Sequence, residues 1–283
     1  STMLQLVQQA TTEMGLTVPS SVASSITVDT VQQLGLLNAC GYEMQREFEW
    51  QQITNEYRFV TVFYTYTGTL TSGSASVTAM SSVVGLTATP TYFAVTGSGI
   101  QQDTQLSAAS GTTATLSLPA TASGTGVSLT FSQTLYVIPS DFDRLKDKTQ
   151  WDKSQHWEML GPETGQQWQW LKSGFIATGP RMRFRMLGGF FQIWPPSGIA
   201  DYLGFEYISK NWVLATADVV TPSKTSFTVD TDTCIFPDRL MVSGLKHKYF
   251  QVKGFGDVYL GDYERQLNIA KANDGGSLTL SMA

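Results

Sequence analysis

The chain has 283 residues, a mass of 31.0 kDa, a net charge of −5 and an isoelectric point near 5.0, which excludes a broad phosphate-neutralising surface of the kind that holds duplex DNA. This length is enough for one large domain or two ordinary ones with a core that needs neither disulfides nor metal. Cys40 and Cys234 are too few and too far apart for a disulfide framework and read as buried free thiols. No long apolar run and no basic-then-apolar start occur, so the expectation is a soluble protein made in a cytoplasm, without a membrane.

Residues 2–14 and 29–50 are predicted helices. In the second, Asp29 or Thr30 is the expected cap, and Val31, Leu34, Leu37, Gly41, Met44 and Phe48 form one apolar face, opposite Gln32, Gln33, Glu43, Arg46 and Glu47. From Tyr57 the period changes to two, as in a strand. Residues 65–133 then form a block of 69 residues with one formal charge, Asp103, and 36 Ser, Thr or Gly. Its short β-patterned runs, Ser74–Ala79, Tyr92–Thr96, Thr104–Ala108, Thr113–Leu118 and Gly126–Phe131, are separated by Ser-Gly turns and predict an inserted small all-β domain, sandwich or barrel-like.

Leu135–Pro139 is predicted to return from this block as a strand paired with Tyr57–Phe63. A charged stretch, Asp141–Lys148, precedes a helix expected at Pro162–Lys172. Strands at Phe175–Thr178, Arg181–Leu187, Phe190–Trp194 and Leu203–Ser209 complete an antiparallel meander. The last apolar face, from Asp238 to about Ala272, is interrupted by Gly244, Gly254, Gly256 and Gly261, which implies close packing, a kink or two helices. A polar tail, residues 273–283, contains the strand-like Ser277–Ser281. The expected fold class is therefore α+β: a helical bundle with an antiparallel β meander in residues 1–64 and 134–272, the all-β insert at 65–133, and the tail.

Candidate chemistry is thin. His156 and His247 belong to no triad. Cys40 and Cys234 lack zinc-site spacing, and Asp230, Asp232 and Asp238 read as capping or surface residues. Gly97-Ser98-Gly99 lacks the setting of a nucleotide loop. Asp152 and Glu163 lie in the aromatic-rich segment Tyr136–Trp212, where a muramidase-like carboxylate pair is the one enzymatic alternative. Trp168 and Trp170 flank Gln169, so on a helix one enters the core while the other faces outward. The expectation is a protein with no catalytic residue, cofactor or metal.

The runs Ile138-Pro139-Ser140-Asp141-Phe142-Asp143-Arg144-Leu145, Thr149-Gln150-Trp151-Asp152, Gln167-Trp168-Gln169-Trp170-Leu171-Lys172, Gly179-Pro180-Arg181, Ile193-Trp194-Pro195-Pro196 and Phe205-Glu206-Tyr207-Ile208-Ser209-Lys210-Asn211-Trp212 give residues 136–274 a likeness to tailed-bacteriophage virion proteins. They resemble the head-to-tail adaptor (tail tubular A) proteins of short-tailed phages. Gly68-Thr69-Leu70-Thr71-Ser72-Gly73-Ser74 and Ala122-Ser123-Gly124-Thr125-Gly126-Val127 are similar to a β-module of phage structural proteins.

The resemblance implies a ring homo-oligomer, a dodecamer, at the head-tail junction of the virion. Its partners would be the portal protein and tail nozzle or fibre proteins, with viral DNA passing through the lumen without specific binding. Trp151, Trp157, Trp170 and Trp194 are the interface candidates, with Leu278 and Leu280 of the tail expected to dock on the portal. The alternatives are a virion-associated peptidoglycan hydrolase and a receptor- or glycan-binding virion protein that uses the insert.

Overall fold

Hydrophobic period and chain breaks resolve into an α+β architecture in the computed structural model, which describes residues 1–87, 93–174 and 181–275. The helices are α1 (Met3–Glu13), α2 (Val28–Glu47), α3 (Gly165–Lys172), α4 (Asp238–Val252) and α5 (Leu260–Asp274). The strands of the first half are β1 (Thr54–Val60), β2 (Phe63–Leu70), β3 (Ser76–Val77), β4 (Phe93–Gly97), β5 (Leu106–Ser110), β6 (Thr113–Leu116), β7 (Gly124–Gln133) and β8 (Leu135–Val137). Those of the second half are β9 (Phe142–Leu145), β10 (Trp151–Asp152), β11 (Trp157–Glu158), β12 (Arg183–Leu187), β13 (Phe190–Trp194), β14 (Tyr202–Ser209), β15 (Val213–Leu214) and β16 (Thr233–Cys234). The expected strand Phe175–Thr178 falls outside the described residues, as do Tyr92 and the tail beyond Gly275.

The chain divides into two compact units. One comprises Ser1–Asn55, Asp141–Leu145 and Tyr207–Ala283, and the other Glu56–Ser140 and Lys146–Glu206. Residues 146–206, expected to belong with the helices, thus fall in the unit that holds the uncharged block.

The first unit is built on helix faces. Thr2 and Gln5 close a reciprocal box at the start of α1: the Gln5 amide donates to Thr2 Oγ1 at 3.3 Å and the Thr2 amide to Gln5 Oε1 at 3.0 Å. Met3, Leu6, Val7 and Ala10 then bury one stripe at helical spacing. α2 starts earlier than expected, after Thr27, whose side chain caps nothing; Asp29 lies in the first turn. Its buried face is also turned from the expected one. Thr30 and Gln33 are buried and Val31 is exposed, while Leu37, Gly41 and Met44 face inward as expected.

Two glycines set the packing of this unit. A Cβ on Gly41 would lie 2.1 Å from the Trp212 indole, and one on Gly244 would lie 2.3 Å from Cys40 Sγ, so α2 meets Trp212 on one side and α4 on the other at backbone distance. The long C-terminal helix breaks into α4 and α5 because Gly254 (φ +84°) and Gly256 (φ +68°) take left-handed conformations that end a helix. α5 continues to Asp274, whose carboxylate accepts from the Gln51 amide at 2.7 Å, so the predicted tail begins inside a helix.

The second unit has period-two order. β2, β7 and β4 form one antiparallel sheet and β3, β6 and β5 another. Leu70, Phe93, Val95, Leu129 and Phe131 from the first and Val77, Leu106 and Leu116 from the second share one buried cluster. β8 pairs with β13, not with Tyr57–Phe63 as expected. The two segments meet through side chains instead: the Tyr136 ring lies 4.4 Å from Phe59, and its hydroxyl accepts from the Val62 amide at 3.0 Å. Phe184, Phe191 and Phe205 continue that cluster as stacked rings with centroids 5.1 and 4.8 Å apart. Pro162 precedes α3; Thr164 caps it through a box with Gln167, so the helix is shorter than the expected Pro162–Lys172.

Gly41→Ala is expected to lower unfolding stability by about 1–3 kcal/mol through overpacking against Trp212. Gly35→Ala on the same helix, where nothing lies within 4 Å of the new Cβ, is expected to raise it by up to ~1 kcal/mol through helix propensity. Urea unfolding of the two variants checks the opposite signs.

Candidate functional surfaces

The predicted interface tryptophans part company. α3 runs from its Thr164 cap so that Trp168 and Leu171 turn inward and pack with Trp194, while Trp170 points outward at 56% exposure. Trp194 is 3% exposed, inside the second unit, and so is not on a surface where an interface residue has to be. Lys172 Nζ lies 5.8 Å over its ring and 2.7 Å from Asp103, the lone charge of the block. Trp151 is exposed on β10 and Trp157 half-buried on β11. Leu278 and Leu280 lie outside the described residues.

β10 places Asp152 on the face opposite Trp151, and this side chain is buried. With Asp201, also buried, it borders an open pocket of about 300 Å³ walled by Trp157, Met182, Pro195 and Ile199. Asp152 Oδ1 accepts from the Ser154 and Gln155 amides, each at 3.0 Å, and Asp201 Oδ2 accepts from the Ser197 hydroxyl at 2.6 Å. Burial pushes the Asp152 carboxyl above its ordinary value; the Gln155 amide opposes this and the Asp201 charge reinforces it. Asp201 carries no motif in the sequence, standing as a single acidic residue at the end of the turn between β13 and β14. Glu163 is held elsewhere, by Arg183 Nη1 at 2.6 Å. The pocket is a hydrogen-bonding cradle, and among the described residues that border it there is no Ser, Thr or Cys nucleophile paired with a histidine.

The other candidates have structural duties. Cys40 and Cys234 are free thiols, and burial pushes each up to about 12, far from a reactive thiolate. Asp230 accepts from the Val22 and Ala23 amides at 2.9 and 2.8 Å. Asp232 ties Lys224 at 2.8 Å to the Thr228 and Val229 amides, and Asp238 holds the N-terminal ammonium at 2.9 Å. His247 is buried and stacks on Tyr263, with ring centroids 5.8 Å apart; His156 sits in a turn at φ +58°. Among the described residues no group of three or more His, Cys, Asp or Glu could hold a metal ion, and no helix is long and apolar enough to cross a membrane.

A different surface was missed from sequence. Around the ends of α2 and α4 in the first unit, Ile26 (96% exposed), Val28 (84%) and Phe255 (65%) stand in solvent, together with Val31, Val252 and Val258. Asp29 joins the two helix ends: its carboxylate accepts from the Tyr249 hydroxyl at 2.9 Å and Lys253 Nζ at 3.1 Å. Apolar residues gathered around one ion pair are the usual mark of a surface that another molecule covers. No family model matches the chain, and no curated protein matches it.

The raised Asp152 value carries a sign. The folded state holds this proton more tightly than the unfolded chain, so the contribution to stability is full below the ordinary value of 3.8 and is lost as pH rises through the elevated folded value. Asp152→Asn keeps the acceptor oxygen and removes the titration. Its melting temperature is expected to exceed wild type at pH 7 and match it near pH ~3; thermal melts across that range are the check, and a variant less stable at pH 7 would contradict it.

Proposed function

We propose that the chain is a structural virion protein, a head-to-tail adaptor whose copies form a ring between the portal and the tail and around the DNA channel. The observation that carries this reading is the exposed apolar surface at the ends of α2 and α4, with Ile26, Val28, Phe255 and Val258 in solvent on an isolated copy. A ring protomer needs two different faces, each covered by a neighbour.

In this reading α1, α2, α4 and α5 are the bundle of the ring, and the sheets of residues 65–133 are the sandwich-like insert, directed to the head shell, tail fibres or nozzle. The ring is a dodecamer in the virion, with no enzymatic activity. The −5 net charge suits a lumen through which DNA passes without adhering. The tail is the portal-docking element. The hydrolase alternative is weaker, since Glu163, one of its two carboxylates, is committed to Arg183. A glycan-binding role for the insert is less favoured: residues 65–133 contain no Trp, and among the described residues Tyr66, Phe93 and Phe131 already have ring partners in Tyr64 or one another.

Mass measurement and negative-stain imaging of the purified protein, alone and mixed with portal rings, test the reading. The expected result is a monomer that becomes a ring on the portal, loses ring formation in Phe255→Asp, and loses attachment when residues 276–283 are deleted with its melt unchanged. A protein that stays monomeric and fails to bind portal would end it.

A further inference from the structure

In the second unit, the open pocket of about 300 Å³ has apolar walls of Trp157, Met182, Pro195 and Ile199 around two aspartates that are almost sealed, Asp152 at 4% and Asp201 at 2% exposure. Their oxygens are unequally used. Asp152 Oδ1 takes the Ser154 and Gln155 amides, Asp201 Oδ2 takes the Ser197 hydroxyl, and Asp201 Oδ1 takes Gln155 Nε2 at 3.4 Å. Asp152 Oδ2 accepts from no described residue. It is not among the orphan atoms cut off from the surface, so it opens on the pocket that its residue borders.

Charge is as incomplete as hydrogen bonding here. Asp232, the third aspartate buried to this degree among the described residues, is answered by Lys224 at 2.8 Å, and Glu163 by Arg183 at 2.6 Å. No Lys, Arg or His stands with Asp152 and Asp201 on the pocket border. Burial and then the Asp201 charge raise the Asp152 carboxyl, while the Gln155 and Ser154 amides and, least of all, His156 oppose them. Buried carboxyl groups without a cation are costly, and a positive ligand group removes that cost.

The geometry narrows the cation. A guanidinium fork wants two carboxylate oxygens side by side, and Asp152 Oδ1 is already filled by two amides. An ammonium is a point charge that one open oxygen can take. Calcium takes about six oxygens, and among the described residues no group of three metal-holding side chains exists. A sugar hydroxyl leaves both charges unanswered, and the donors on the border, Ser197 and Gln155, already serve Asp201. Apolar walls below a charged head match an aliphatic stem.

We propose that this pocket binds a primary ammonium carried on an unbranched aliphatic stem, the group shared by a free alkylamine and a lysine side chain. The ammonium donates to Asp152 Oδ2 beside Asp201, and the stem lies against Trp157, Pro195 and Ile199. This inference stands apart from the adaptor reading: a ring whose pocket ignores amines would sink it alone, and a monomer that binds amines but not portal would sink the adaptor alone.

The test is NMR titration of the full ¹⁵N-labelled chain at neutral pH and constant ionic strength. The probes are n-pentylamine, Nα-acetyl-lysine-N-methylamide, the neutral isostere n-pentanol, N-acetylglucosamine and calcium chloride. Saturable shifts are expected with both amines at the Ser154 and Gln155 amides and the Trp157 indole N–H, and the tighter of the two identifies the source as free amine or polypeptide. Pentanol binding to wild type, and amine binding to Asp152→Asn, are expected to be at least about tenfold weaker, as loss of a hydrogen bond to a charged group implies. Ile199→Lys, at a side chain 55% exposed, brings an ammonium to the rim and is expected to block both amines with its melt showing a folded chain; it decides the matter if Asp152→Asn does not fold. Equal binding of pentanol and pentylamine, saturation by N-acetylglucosamine or calcium in place of the amines, unchanged amine affinity in the folded variants, or no shift with any probe would each overturn the proposal.

Discussion

The face of the Trp212 indole against the bare backbone of Gly41 is the contact on which the helical unit turns. Trp212 is fully buried, with Phe227 edge-on at 5.1 Å and Phe236 at 5.7 Å, so its position is fixed from three sides. Only a residue without a side chain lets α2 pass that close. One residue earlier in α2, Cys40 faces the other way, toward Gly244 of α4. The α2 backbone is thereby clamped between an indole and a second helix, and the sulfur of Cys40 sits where nothing larger fits. Van der Waals contact at this range is short and stiff, which is why such seams specify one register of two helices instead of several.

The second unit achieves order without glycine seams of this kind. Its uncharged block relies on alternation: Leu129 and Phe131 face one cluster, and Ala114 and Leu116 face it from the other sheet. The aromatic residues that make the segment 136–212 so distinctive are mostly spent inside, as the stacked series Phe184, Phe191 and Phe205 shows. Aromatic density in a sequence is thus evidence of cohesion without saying whether the cohesion is within a chain or between chains. Here the large apolar residues left in solvent by the first unit are mostly aliphatic, with Tyr42 and Phe255 as aromatics among them.

The two N-terminal helices and the burial of Cys40 were legible because each rests on a local signal, helical period or residue type. Pairing partners were not. Leu135–Val137 was adjacent in chain order to a plausible strand, yet its ladder goes to Phe190–Gln192, a choice made by how Tyr136 seats against Phe59 and Val62. The first turn of α2 misled for a related reason. Val31 fits the apolar period and Gln33 the polar one, but the loop Leu16–Thr27 lies over the side of the helix that carries Thr30 and Gln33, and burial followed the loop. The Asp152 and Asp201 pocket depends on two residues 49 positions apart, and the interval carries no pattern that would join them.

Departures from local rule gather at the start of α2 without being confined to it. Within one stretch a helix begins without a side-chain cap, the Gln33 carboxamide oxygen is buried without a partner among the described residues, and two aliphatic residues stand almost wholly in water. In the same unit α1 has its full capping box, and Asp230 and Asp232 satisfy the amides of their loops, but α4 and α5 also start without a side-chain cap, and Trp212 Nε1 and His247 Nδ1 are buried without a partner among the described residues. What sets the start of α2 apart is therefore the exposure of Ile26 and Val28 beside the Asp29 and Lys253 pair. Apolar side chains left in water around a paired charge are what a surface completed by another molecule requires, because binding then recovers buried area.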